Sequence, residues 1–319
     1  MGKNKMKINL FRDKNQKGIW QFSSYLLPIV DQCKLSLNEG GTSEVALTEN
    51  LILKREDQNP TGSLKDRGMA YLISRAFQDG VKSIVISSSG NAAISAASYC
   101  HLAKIKLTVF VSPKINQEKL AEINKREVEV IQNLRPLSEA VKFAKNNNLY
   151  YLRPSLSEFG PEGYQAIAFE LAEKQGLVED IFIPVSSGVA LIGIAKGFKK
   201  VGFLPRLHVC QPSAICPISK EFDRAYRPEE NNPADGIVAR FSPLKDQVVS
   251  LIKESLGTGW VIGEEEIKKN QSVLKEKGIE TSNEGALAFA GMEKAKTNPP
   301  AGGQKLGKTV ILLTGRKYE

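Results

Sequence analysis

A chain of 319 residues that is 41% hydrophobic carries enough apolar side chain for one large α/β unit or two domains. No run reaches the roughly 18 consecutive apolar residues that a membrane span needs. Lys and Arg number 44 against 35 Asp and Glu, a net charge of +9, yet the lysines alternate with Glu in stretches such as Lys114–Lys125 and Lys268–Lys277. Such mixing marks solvated helix faces rather than a nucleic-acid stripe, and leaves room for steering of anionic substrates. Met1–Lys7 is basic but is followed by neither an apolar core nor a small-residue cleavage site, so a mobile tail and a cytoplasmic protein are expected.

In chain order, Asn59-Pro60-Thr61-Gly62 reads as a turn, with Ser63 placed to cap a helix that Lys65 opens. Val81–Ser87 is a buried-strand pattern, followed by an Ala-rich helix over Asn91–Ala103. Strands then fall at Lys106–Val111, Glu127–Ile131 and Leu149–Arg153, with helices at Ile115–Lys125 and Ser138–Asn146 between them. The alternation continues with a helix over Glu162–Gln175, a strand at Asp180–Val185, a helix over Gly188–Lys199 and a strand at Arg206–Gln211. Pro212 to Asp246 reads as an irregular excursion. Helices over Glu264–Lys277 and Glu284–Ala295 and a strand at Lys308–Thr314 close the chain. Repeated βαβ alternation predicts two parallel-sheet domains with helices on both faces, an α/β class.

Ligands of open parallel sheets bind beyond the carboxyl ends of the strands, so residues just after strands carry the most information. Lys65 is a cation in a first helical turn, where the backbone presents positive partial charge. That setting lowers an amine pKa and suits a lysine acting as nucleophile and base; an ordinary surface lysine is the competing reading. Ser87-Ser88-Ser89-Gly90-Asn91 joins a strand to a helix N-terminus and offers backbone N–H groups to an anion such as a carboxylate, or else forms a plain capped turn. Ser186-Ser187-Gly188-Val189-Ala190 repeats that arrangement without a P-loop lysine or dinucleotide glycine spacing. Thr314-Gly315 ends the last strand with a hydroxyl that could meet an unprotonated ring nitrogen. The two histidines, His101 and His208, and the four cysteines, Cys33, Cys100, Cys210 and Cys216, lack metal-ligand spacing and read as structural, with reduced thiols and no metal.

At these residues the chain resembles a known family. NPTGSLKDRGMA, SSSGNAAISAASYC, PEGYQAIAFEL, PVSSGVALIGIAKGF and LLTGRK occur in the order found in fold-type II pyridoxal-phosphate enzymes, and the set is most similar to threonine synthases. LNEGGTSEVALTENLILKRED, ADGIVARFSPLKD and TSNEGALAFAGMEKA extend the likeness over roughly residues 18 to 317. The resemblance implies a tryptophan synthase beta-like fold, with a large cofactor domain over 1–68 and 152–319 and a small mobile domain over 69–151. It implies pyridoxal 5′-phosphate as cofactor, with Lys65 as the Schiff-base lysine and general base. Asn91 matches the residue on the cofactor's phenolic oxygen, and Ser88, Ser89 and Gly90, with Asn91, match the substrate-carboxylate loop. Ser186, Ser187, Gly188, Val189 and Ala190 match the cofactor-phosphate loop, and Thr314 the hydroxyl at the pyridine nitrogen. It further implies conversion of O-phosphohomoserine and water to threonine and phosphate, on a small amino-acid substrate with no membrane or nucleic-acid partner, in a homodimer. A serine/threonine dehydratase, a β-replacement enzyme on phosphoserine or acetylserine, and a non-catalytic cofactor-binding protein are the alternatives. One departure bears on the substrate: Gly160 and Pro161 stand where many threonine synthases carry an arginine for the substrate phosphate. Arg153 and Arg316 are the cations that could replace it.

Overall fold

The computed structural model describes residues 8–298 and 305–318; the expected tail Met1–Lys7 lies outside them. The chain opens with β1 (Glu44–Thr48) and β2 (Leu51–Arg55), an antiparallel pair joined across Glu49-Asn50, then runs into α1 (Lys65–Gln78). Next come β3 (Ser83–Ser87), α2 (Asn91–Ala103), β4 (Lys106–Val111), α3 (Gln117–Asn124), β5 (Glu129–Gln132), α4 (Pro136–Asn146) and β6 (Tyr150–Tyr151). The remainder comprises α5 (Gln165–Gln175), β7 (Asp180–Pro184), α6 (Val189–Lys200), β8 (Arg206–Pro212), α7 (Lys245–Glu254), β9 (Thr258–Ile262), α8 (Glu264–Glu276), α9 (Asn283–Thr297) and β10 (Thr309–Leu313).

The alternation read from the sequence is present as two sheets. Four strands and α-helices among the described residues escaped that reading: β1, β2, α7 and β9. Two more are altered. The strand expected over Leu149–Arg153 pairs only at Tyr150 and Tyr151, because Pro154 holds the chain behind it away from the ladder. Ser63 is not the N-cap of α1; Leu64 occupies that position, and the Ser63 hydroxyl instead accepts the Lys65 N–H at 3.3 Å.

The chain divides into two compact units, one of residues 1–11, 41–58 and 164–317 and the other of 12–40, 59–163 and 318–319. In the first unit six strands lie in the order β1-β2-β10-β7-β8-β9, parallel except for β1. From β7 the chain proceeds through β8 to β9, then returns to insert β10 between β2 and β7, so the winding reverses at the β7–β10 boundary. In the second unit the order is β5-β4-β3-β6, all parallel, and the reversal lies between β3 and β6. Crevices form at such reversals because the flanking connections leave on opposite faces.

The central strand β10 is nearly all apolar and buried throughout, as burial on both faces demands; Leu312 and Ile311 of β10, Phe182 of β7 and Leu207 of β8 are fully buried. Two buried clusters of polar groups inside the first unit are satisfied by their own members. Lys54 Nζ, fully buried, donates to Glu170 Oε2 at 2.7 Å, Thr42 O at 3.0 Å and Glu44 Oε1 at 3.1 Å, which employs all three ammonium hydrogens. Asp180 receives Arg206 through Nε at 2.6 Å and Nη2 at 2.7 Å, and contacts His208 Nε2 at 2.9 Å. His208 lies flat on Phe182, and its Nδ1 accepts the Trp260 indole N–H at 3.3 Å, so the ring is the neutral Nε2–H tautomer.

Burial holds the His208 imidazole below its ordinary pKa against the pull of Asp180. Burial alone would raise the Asp180 carboxyl, but hydrogen bonds from His208, Arg206 and the Gly307 N–H bring it below the usual range. Both folded values lie below the unfolded ones, so both groups favour the unfolded chain as acid is added. The His208 contribution is complete above the unfolded value of about 6.5 and falls as pH drops from there. Urea titrations at pH 7 and pH 5 should therefore show a loss of unfolding free energy in the wild type. His208→Gln should show a smaller loss over the same window.

Candidate functional site

The two reversals carry the chemistry-bearing residues. In the second unit, the loop after β3 runs Ser88-Ser89-Gly90 into Asn91, the first residue of α2. Ser88 N–H bonds Phe110 O at 3.2 Å, which ties the loop to the end of the neighbouring strand. The Ser88 Oγ accepts Gly90 N–H at 3.3 Å and the Ser89 Oγ accepts Ser112 N–H at 2.9 Å. Both hydroxyls thus use a lone pair to shape the loop and keep an O–H to donate outward. A Cβ at Gly90 would meet nothing within 4 Å, so the loop faces open space; the first bond of α2 runs from Ala93 N–H to Gly90 O at 2.9 Å, which leaves the N–H groups of Asn91 and Ala92 ahead of it without a partner in the helix. Arg153 follows β6, the other strand of this reversal. Val85 pairs with Tyr151, and continuing that register sets Arg153 level with Ser87, at the same end of the sheet as the loop.

Lys65 starts α1 in the same unit. It is half-buried between Leu64 and Asp66, both buried, in a helix whose residues Asp66 to Ser74 are all buried. The Asn91 Oδ1 is buried without a hydrogen-bond partner among the described residues, a cost of about 1–3 kcal/mol that a bound polar group would remove.

In the first unit, the loop after β7 runs Ser186-Ser187-Gly188 into α6, and Val189 and Ala190 form its first turn. Gly188 has φ +96°, and a Cβ there would lie 2.4 Å from Val248 Cγ2 of α7. Both the positive φ and the approach of α7 exclude a side chain. The loop is held from above by the irregular segment before α7: Val238 N–H donates to Ser186 Oγ at 3.3 Å and Ser242 Oγ donates to Ser187 O at 2.6 Å. Part of the Pro212–Asp246 excursion therefore serves to brace this loop. Thr314 and Gly315 leave β10, the other strand of this reversal; with Ile311 opposite Phe182, Thr314 comes level with Val185. Gly315 O receives Ser282 N–H at 3.0 Å and Thr281 Oγ1 at 3.3 Å, which seats the turn on the N-terminus of α9. Arg316 follows it, half-exposed.

Two polar side chains that sequence reading passed over stand out. The Ser282 Oγ, at the N-cap of α9 beside Gly315, is buried without a hydrogen-bond partner among the described residues, and so are both amide atoms of Gln165. The sequence does place Ser282 before an Ala-rich helix, but an N-cap serine usually spends its hydroxyl on the helix, so its being unspent had no sequence signal. Of the two positions where the resemblance would put an arginine, Gly160 and Pro161, the first is closed to a side chain. A Cβ at Gly160 would lie 2.1 Å from Pro154 O, so this backbone admits no larger residue. A Cβ at Gly163 would lie 1.8 Å from Arg67 O, which shows how closely the first turn of α1 is packed there. Glu162, 3% exposed, accepts Leu27 N–H at 3.3 Å.

A lysine opening a helix, an unsatisfied asparagine amide, and anion-accepting helix N-termini at two sheet reversals fit pyridoxal 5′-phosphate, and define an α/β enzyme of fold type II. The model of the family described as pyridoxal-phosphate dependent enzyme matches residues 37–315, and the chain belongs to that family. The threonine synthase of Methanocaldococcus jannaschii is 30% identical, over 88% of this chain and 76% of its own. That of Methanosarcina acetivorans is 28% identical, over 91% and 78%. Among solved structures, maize serine racemase superposes with a TM-score of 0.77 at 18% identity, covering 87% of this chain and 88% of its own, a likeness of fold. The protein is a pyridoxal-phosphate-dependent enzyme of threonine-synthase-like kind.

Gly188→Ala tests the β7–α6 loop. Forcing a side chain into φ +96° against Val248 should cost about 1–3 kcal/mol in urea unfolding and weaken cofactor binding measured by equilibrium dialysis. Gly202→Ala, at φ +93° with open space around it, should show the backbone penalty while leaving cofactor affinity unchanged.

Proposed function

We propose that the enzyme is a carbon–oxygen lyase that converts O-phosphohomoserine and water to threonine and phosphate. The observation that carries this reading is Lys65 at the head of α1 in one unit with the unsatisfied Asn91 amide; kinship with threonine synthases supports the choice of reaction. Lys65 would hold the cofactor through its amine, Asn91 would donate its side-chain amide N–H to the phenolic oxygen while its Oδ1 stays available to a donor, and the N–H groups of Ser186 to Ala190 would receive the cofactor phosphate. Thr314 offers its hydroxyl to the ring nitrogen. A hydroxyl there leaves that nitrogen uncharged, in contrast to a carboxylate. When bound, the cofactor supplies an electron sink for charge developing on substrate carbon.

The chain's own residues do the rest. Ser88, Ser89 and the free N–H groups at the start of α2 hold the substrate carboxylate, whose negative charge the helix N-terminus favours. This would fix the α-carbon within reach of the Lys65 amine, which would act as the base for the α-proton. The same amine would carry protons along the substrate side chain, so that the γ-carbon exchanges its phosphate for a proton and water supplies the hydroxyl of the β-carbon. Arg153, level with Ser87 at the β3–β6 reversal, is the cation we assign to the substrate phosphate in place of the absent arginine. Charge-assisted hydrogen bonds of that kind contribute roughly 1.5–3 kcal/mol each. Arg316 is the second candidate.

A serine/threonine dehydratase or β-replacement reading gains support from one observation, the close backbone contact at Gly160 that keeps an arginine out. A substrate panel separates the readings. Phosphate release with threonine formation from O-phosphohomoserine is the expected outcome; keto acid from serine or threonine instead would overturn it. Lys65→Ala should abolish the visible absorbance of the cofactor-loaded protein and all turnover. Arg153→Ala should raise KM for the phosphorylated substrate about tenfold or more with cofactor affinity unchanged. An unchanged KM would remove Arg153 from the site and leave Arg316→Ala as the decisive variant.

A further inference from the structure

Asp66 follows Lys65, and its side chain is fully buried. Its Oδ2 accepts the Thr61 N–H at 2.7 Å, and its Oδ1 accepts the Thr61 hydroxyl at 2.5 Å and the Ser95 hydroxyl at 2.6 Å. One carboxylate thus joins three pieces of a single unit: the turn at residues 59–62, the first turn of α1 and the first full turn of α2. The turn is itself fixed on its other side, where Gly62 N–H bonds Asn59 O at 2.7 Å and Asn59 Oδ1 accepts Gly40 N–H at 2.8 Å.

Ser95 stands four residues after Asn91, on the same face of α2 and about 5–6 Å along it. Tyr99, four further on, continues the stripe; its hydroxyl donates to Glu39 Oε2 at 2.7 Å, and both side chains are fully buried. The face of α2 that ends in the unsatisfied Asn91 amide is therefore anchored twice, at Ser95 to Asp66 and at Tyr99 to Glu39. The Asp66 anchor is the one that connects this face to the residue next to Lys65. Apolar packing tolerates a small shift more readily than a buried carboxylate that holds several donors at once, whose hydrogen bonds are all satisfied in one geometry.

We infer that Asp66 is a positioning residue whose carboxylate locks the first turn of α1 to α2 in the register that sets Lys65 against Asn91. The inference rests on the proposal that these two residues hold the cofactor. It assigns Asp66 no contact with cofactor or substrate. Loss of the carboxylate leaves Thr61 and Ser95 donors unsatisfied and frees the two helices to shift, which tilts the ring between its lysine and its asparagine.

The test uses the full chain loaded with pyridoxal 5′-phosphate. Asp66→Ala and Ser95→Ala should each weaken cofactor binding, by about tenfold for Asp66→Ala, and reduce the visible circular dichroism per bound cofactor, which reports ring orientation. Asp66→Asn, which can still accept from Thr61 N–H while its amide donates to the two hydroxyls, should restore most of both signals. Ser74→Ala removes a buried hydroxyl of α1 that bonds Ala70 O and Leu35 N–H, away from α2. It should lower the melting temperature without changing the dichroism per cofactor. Equal dichroism and affinity in Asp66→Ala and wild type would overturn the inference, as would a loss in Ser74→Ala matching that in Asp66→Ala. A wild-type protein that binds no cofactor would instead refute the proposed function. The role of Asp66 is then read from cofactor-free protein, by reductive methylation of Lys65 followed by peptide mass spectrometry. An altered Lys65 labelling rate in Asp66→Ala, restored in Asp66→Asn, supports the inference, and an unaltered rate overturns it.

Discussion

Parallel strands can be joined only by crossovers, and wherever the direction of winding reverses, two neighbouring strands send their chains to opposite faces and leave a crevice at their carboxyl ends. The rest of this structure depends on that constraint. It operates twice, at β7–β10 in one unit and β3–β6 in the other. At each reversal a helix begins directly after a strand, so unpaired backbone N–H groups are directed at the crevice without any charged side chain being needed. Backbone donors recognise the anionic parts of a cofactor or amino acid, and the side chains that perform chemistry have only to be set around them.

Holding those ends still falls to polar groups inside the protein. Lys54 is matched hydrogen by hydrogen to three acceptors, and Asp180 collects Arg206, His208 and Gly307. Such groups contribute less to net stability than their distances suggest, since desolvation offsets much of the attraction, but they permit one arrangement and penalise others. The Asp66 cluster is of the same kind and lies one residue from Lys65. By contrast, Asn91 and Ser282 keep buried polar atoms unsatisfied. Within a protein that satisfies a buried lysine completely, orphaned atoms at the two loop regions are informative about what binds there.

Much of the architecture was legible in the chain because strands buried on both faces read as short apolar runs, and helices between them show small residues or an amphipathic period. β2, Leu51–Arg55, carries such a run and was still passed over, while the other elements that escaped lacked those signatures. β1 alternates half-buried and exposed residues at a sheet edge, β9 begins Thr-Gly, and α7 follows a stretch dominated by Pro and Asn. Leu149–Arg153 has a strand composition but is stopped by Pro154. The role of residues 234–244 was hidden for a different reason: Val238 and Ser242 meet Ser186 and Ser187 about fifty positions away, a pairing with no local pattern.

By itself the sequence determined the α/β class and the three strand-end loops, because each depends on residue type at short spacing: a glycine where φ must be positive, small hydroxyl residues where a strand meets a helix; the cofactor followed from the likeness of the ordered motifs to a known family. Only the tertiary structure decided which strands are neighbours, and so which loops share a reversal. It set Arg153 level with Ser87, closed the Gly160 position to an arginine, left the Ser282 hydroxyl unspent and bound Asp66 to Ser95. Those outcomes turn on ångström-scale approaches between segments distant along the chain, and no local preference of the residues encodes them.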